Sequence, residues 1–202
     1  DDLGKYKTQA LKERIQKDMS HITITSIPQY IQYECIKNIG LLDEMDVVVI
    51  TTADWNSEEF IWLLHQVRQP KWALIQAWAE PHAIIGHMLI TRPNSIADGR
   101  YLFDEYGGFL HRYSEWKDNG VIPLPGCGEA FIPGGPIGIN TIATITVQSV
   151  FDVLTGKIES DTWVTSIGDI KKIRELNGTY VGTNVREGYK QIVISREWPK
   201  EQ

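Results

Sequence analysis

The chain has 202 residues, 42% of them apolar, 23% charged and 10% aromatic, an ordinary globular composition that excludes a disordered or fibrous protein. A net charge of −6 with no Lys/Arg-rich stretch argues against a nucleic-acid partner, and no apolar run approaches the roughly 20 residues of a membrane span. Cys35 and Cys127 are the only cysteines, too few for a disulfide scaffold or a cysteine zinc site, so a reducing cytoplasm is the expected setting. Residue 1 is Asp rather than Met, which leads us to expect a processed or excised part of something longer.

Thr8–Met19 places Ala10, Leu11, Ile15 and Met19 at helical spacing, with Lys12, Glu13, Lys17 and Asp18 opposite, and so predicts an amphipathic surface helix. Ile22, Ile24 and Ile27 with intervening Thr predict a short strand closed by Pro28. Ile31–Leu42 reads as a helix with Cys35 on its apolar side. Asp46 then introduces Val47–Ile50, a β-branched run of the kind found in a parallel strand buried on both faces. Ser57–Val67 predicts a helix and Trp72–Trp78 the next strand. This alternation predicts an α/β open sheet.

From His82 the rhythm changes. Ala83–Ile90 predicts another strand, and 92–126 is long, aromatic and irregular, a kind of segment that is usually functional in a compact domain. After the turn Pro133-Gly134-Gly135-Pro136, residues 137–154 carry two conflicting signals. Thr141, Ile142, Thr144, Ile145, Thr146 and Val147 favour a strand, whereas the length, the preceding Pro and the closing Gly156 favour a helix. The tail predicts strands at Thr162–Ile167 and Gln191–Trp198.

There is no glycine-rich dinucleotide or P-loop signature, and His82 and His87 have the spacing of neither a helical ligand pair nor one strand face. Three local patterns remain. Asp2-Leu3-Gly4-Lys5-Tyr6-Lys7 precedes a helix, where a lysine can meet phosphates or simply face water. Asp54 follows the Val47–Ile50 strand, where α/β sheets bind ligands and a carboxylate can hold Mg²⁺; the simpler role for Asp54, Asn56 or Ser57 is a helix cap. Cys127 lies in Pro125-Gly126-Cys127-Gly128-Glu129-Ala130, where it can be a nucleophile or a small packed residue.

In this order, Asp-x-Gly-Lys-x-Lys, a helix, the Asp-Val-Val-Val strand, an Asp, and Cys-x-Glu-Ala-x-Ile-x-Gly-Gly-x-Ile-Gly before a long segment, the chain resembles the HesA/MoeB/ThiF family, bacterial relatives of the ubiquitin-activating enzyme. The resemblance runs from Asp2 to Gly156. It implies an open, mainly parallel Rossmann-like sheet with flanking helices, a long crossover loop and a small β tail. Residues 1–156 would be the C-terminal portion of an adenylation domain and 157–202 a β-rich tail packed on the same domain.

The implied activity is ATP- and Mg²⁺-dependent adenylation of the C-terminal carboxylate of a ubiquitin-like or sulfur-carrier protein, with transfer to an enzyme cysteine in some members. Lys7 matches the phosphate-contacting lysine, Asp54 the metal-side aspartate and Cys127 the cysteine of the covalent adduct. Residues 137–154 would be a helix, ending like the family's dimer-forming one, so a homodimer is expected, with no nucleic-acid or membrane partner.

The chain also departs from the pattern. The family's glycine-rich nucleotide loop lies upstream of the motif at which this chain begins, so the chain alone is expected to be inactive. Ala53 lengthens the strand-to-Asp segment by one residue, which leaves Asn56 to share the role of Asp54. Tyr101-Leu102-Phe103 stands where the first of two zinc-binding Cys-x-x-Cys pairs would be. The rival reading is a noncatalytic half-Rossmann module that dimerises or binds a partner.

Overall fold

The computed structural model describes residues 2–123 and 130–197. Two compact units result, residues 1–41 and 42–202, and each is described by itself.

The first unit holds two helices, α1 (Lys7–Asp18) and α2 (Ile31–Lys37). As its pattern predicts, α1 is a surface helix, and none of its residues is buried. Lys5 pairs with Glu13 and Arg14 with Asp2 along its flank. The strand expected at residues 22–27 does not form; Thr and Ile favour extended backbone there, but no ladder partner pairs with it. The helix expected to reach Leu42 stops at Lys37, with the Asn38 amide bonded to the Glu34 carbonyl.

The second unit is built on a sheet of β1 (Val47–Ile50), β2 (Ala73–Ala79), β3 (Ile85–Ile90), β7 (Thr162–Gly168) and β9 (Gln191–Glu197), in that spatial order. Short pairs β4 (Ser114–Glu115) with β8 (Thr179–Tyr180), and β5 (Ile122–Pro123) with β6 (Ala130–Phe131), lie outside it. The helices are α3 (Trp55–Arg68), α4 (Pro136–Leu154) and α5 (Ile170–Glu175).

An open α/β sheet is therefore present, but it is mixed where a mainly parallel one was expected. Only β1 and β2 run parallel; β2–β3, β3–β7 and β7–β9 are antiparallel. The cause lies at Glu80–Ile84, where the Glu80 amide meets the Ile85 carbonyl at 2.9 Å in a tight turn. Only an antiparallel neighbour can follow so short a link, because a parallel one needs a crossover of about a dozen residues. The apolar run at Val47–Ile50 is correspondingly not central: β1 is an edge strand and Val49 is 43% exposed. The fully buried centre is β3.

Alternation along the strands divides the core between two faces. Ile75, Met88, Ile90 and Val164 point to one side, where Ile145, Val150 and Val153 of α4 cover them. On the other side Gln76 meets Trp62 of α3, and Ile85 and Ile167 pack with Tyr113, Ile170 and Ile173. The crossover segment from Arg92 is thus a covering layer for this second face.

Residues 136–154 form a helix, as the resemblance implies and local propensity does not. Pro136 occupies the first turn and Gly156, at φ 71°, follows the last. The threonine hydroxyls are satisfied by bonding back one turn, Thr141 to the Ile137 carbonyl at 2.9 Å, Thr144 to Asn140 at 2.8 Å and Thr146 to Ile142 at 2.8 Å, and packing on the sheet outweighs their weak helix propensity. By length and composition alone, α4 is also apolar enough to cross a membrane. Here it seats Ile142, Thr146 and Ser149 on the sheet and leaves Ile137, Val147, Phe151 and Leu154 exposed.

Candidate functional site

At the C-terminal end of β1, Ala53 takes a left-handed conformation, φ 52°. Asp54 then caps α3: its carboxylate accepts from the Ser57 amide at 3.3 Å and from the Ser57 hydroxyl. The capping role expected as the simpler reading of Asp54 is thus present in the fold. Asn56 is exposed on the same first turn.

Just inside this turn lies a residue that the sequence reading did not single out. Glu58 is buried, and its carboxylate accepts from Thr52 Oγ1 at 3.1 Å and Gln76 Nε2 at 2.8 Å; Gln76 Oε1 in turn accepts from Trp62 Nε1 at 2.6 Å. Burial pushes its pKa up, against the hydrogen bonds from Thr52, the Ala53 amide and Gln76, and the nearby Asp54 charge pushes the same way as burial. The available signal was its place four residues after the cap, in the first turn, where carboxylates favour the helix dipole. Asp54 and Glu58 give the edge beside β1 two carboxylates of opposite character, one half-exposed and one buried.

A second polar node ties the crossover to the sheet. Glu80, at the end of β2, accepts from the Tyr113 amide at 2.7 Å, the Ser114 amide at 2.8 Å, the Ser114 hydroxyl, and His87 Nε2 at 2.8 Å. With its proton on Nε2, His87 accepts at Nδ1 from Thr165 Oγ1 at 3.2 Å and Trp163 Nε1 at 3.4 Å. Burial pulls the His87 pKa down more strongly than Glu80 raises it, so the imidazole is neutral. For Glu80 burial acts upward, but the bonds from His87, Ser114 and Tyr113 prevail and hold the carboxyl below its usual range. Trp78 stacks on His87 at 5.3 Å, and Phe109 closes on His87 at 4.7 Å. The polar atoms of Glu80, His87, Ser114 and Thr165 meet one another or the crossover backbone, so this node positions the crossover.

The third region is the turn between β2 and β3 and the start of α4. His82 and Ala83 are consecutive left-handed residues, φ 65° and 51°, a costly backbone that persists only where the surroundings dictate it. The His82 amide donates to the Pro133 carbonyl, and its ring lies 4.3 Å from that of Trp116. A Cβ on Gly138 would stand 2.1 Å from the Ala83 carbonyl oxygen, so this glycine of the Gly-Gly-x-Ile-Gly run is what lets α4 approach the turn.

The expected site residues fall in different units of the chain or outside the described residues. Asp54 and Asn56 share one turn; Lys7 is the exposed first residue of α1, in the other unit. Cys127 lies outside the described residues. Cys35 is buried, as its apolar helical position predicts. No cluster of three His, Cys, Asp or Glu side chains occurs among the described residues, and one Asp54 oxygen accepts from Ser57. No family model matches the chain, and no curated protein matches it.

Proposed function

We propose that this chain is the C-terminal portion of a Rossmann-like adenylation domain that activates the C-terminal carboxylate of a ubiquitin-like or sulfur-carrier protein. The observation that carries the reading is β1. Its Val47-Val48-Val49-Ile50 run has the composition of a central parallel strand, yet it sits at the edge, in the only parallel pair among the described strands, and Asp54 follows four residues after its end. Further parallel strands added at that open edge would bury Val49 and turn the end of β1 into the interior crevice where such sheets bind nucleotides.

In this reading the carrier carboxylate oxygen attacks the α-phosphorus of ATP, the bond to the pyrophosphate oxygen breaks and pyrophosphate leaves. In the second unit, the half-exposed start of α3 with Asp54 and Asn56 forms one wall of the nucleotide site. A Cys127 thiolate then attacks the acyl carbon and AMP leaves, forming a thioester. The test is ATP–pyrophosphate exchange by the full-length protein containing this sequence, with the carrier present. Exchange that requires the carrier's C-terminal carboxylate supports the reading, and Cys127→Ser should retain exchange while losing a reducible adduct. Absence of exchange with every carrier of the same source would overturn it.

A second reading, a noncatalytic dimerisation module, is favoured by α4. Phe151 and Leu154 are more than half exposed on a helix with no charged residue before Asp152, the kind of surface that a two-fold partner covers. Sedimentation at tens of micromolar would show the dimer, and a dimer without exchange activity selects this reading.

A further inference from the structure

A cleft of about 660 Å³ opens within the second unit, between the β2–β3 turn, the start of α4, the α5 region and the facing ends of β7 and β9. Small-molecule sites occupy about 300–1,000 Å³. Its apolar lining comes from Ile84, Ile137, Ile142 and Leu176, and its cations are Lys172 of α5 and Lys190 just before β9. Neither ammonium has an ion-pair partner among the described residues, whereas the adjacent Lys171 pairs with Glu175 at 3.7 Å. The one carboxylate in the lining, Asp169, is engaged in capping α5, where it accepts from the Lys171 amide at 3.0 Å. Gln191 is held in place by donating to Ser166.

Two cations with no ion-pair partner among the described residues, beside an apolar lining and one carboxylate engaged at α5, complement one class of ligand. We propose that this cleft binds a small amphiphile, its anionic oxygen head, carboxylate or phosphate, at Lys172 and Lys190, and its apolar body against Ile84, Ile137 and Ile142. The proposal is independent of the adenylation reading, since it uses neither Lys7, Asp54 nor Cys127.

The test is isothermal titration of the full chain with octanoate, octyl phosphate, octylamine and inorganic phosphate, combined with amide chemical-shift mapping. Octanoate or octyl phosphate should bind with shifts at Gly138, Lys172 and Gln191, and the tighter of the two identifies the head group. Octylamine and inorganic phosphate, which each lack one half of the match, should bind at least about tenfold more weakly. The Lys172→Glu/Lys190→Glu variant, and separately Ile137→Asp at a position 80% exposed, should each weaken the amphiphile about tenfold or more while the circular dichroism spectrum stays unchanged. Equal binding of octylamine, unchanged affinity in the charge-reversed variant, shifts confined to other regions, or no binding of either anionic amphiphile at millimolar concentration would overturn the proposal.

Discussion

The two faces of the sheet solve the burial problem in opposite ways. Under the crossover, His87, Glu80, Thr165 and Ser114 are all buried, and each polar atom named there meets another within the fold. Under α4 the contacts are Ile, Val and Met, and the helix's own hydroxyls bond back to its backbone. A polar layer of the first kind is expensive to break, because each lost partner strands another group in a low-dielectric interior. An apolar layer of the second kind is sensitive to shape instead, and at α4 the sensitivity concentrates where backbone meets backbone, at Gly138 and Ala83.

The largest effect expected from this contrast is at Glu80. Replacing it by Ala leaves the Tyr113 and Ser114 amides and His87 Nε2 without their acceptor and should cost about 3–5 kcal/mol in urea unfolding. Glu80→Gln, which keeps an acceptor oxygen, should cost less. A loss under about 1 kcal/mol for Glu80→Ala would show that the crossover is not anchored there.

Next is the pH dependence carried by His65, fully buried at the α3 side of the sheet and bonded to Thr91 Oγ1 at 3.1 Å. Burial lowers its pKa from 6.5 to about 4. Between those values the unfolded chain holds a proton that the native imidazole does not, so this contribution is complete above pH 6.5 and declines as pH falls toward 4. The full loss is on the order of 3 kcal/mol. Denaturant titrations across this window should show the slope, and His65→Gln should flatten it.

On the α4 face the sharpest comparison is between two glycines of one motif. Gly138→Ala forces a Cβ into the Ala83 carbonyl and should cost about 2–3 kcal/mol, whereas Gly135, whose Cβ would meet nothing within 4 Å, should tolerate Ala with little change. Equal costs would mean that the helix is not seated by close backbone approach.

These faces also differed in how far the sequence foretold them. Periodicity placed α1, α3 and the strands of the sheet because those elements rest on local pattern. It misplaced the centre: a Val-Val-Val-Ile run reads as an interior strand, but strand order depends on connections, and the tight turn at Glu80–Ile84 puts β3 there instead. The β-branched content of α4 pointed to a strand because propensity does not register the packing of Ile145, Val150 and Val153 on the sheet or the room given by Gly138. At the candidate site, the capping role of Asp54 was legible from its place just before a helical pattern. Glu58 was not, since its burial arises from Gln76, eighteen residues later on another element.

The account turns on whether Asp54 does more than cap a helix, and the measurement is pyrophosphate exchange by the full-length Asp54→Ala protein alongside its unfolding free energy. As a cap alone, Asp54 is worth about 1 kcal/mol. The adenylation reading predicts that small loss of stability together with a fall in exchange of about 10²-fold or more at temperatures where the variant stays folded. A variant destabilised by the same amount that exchanges pyrophosphate at the rate of the unmodified protein would contradict it.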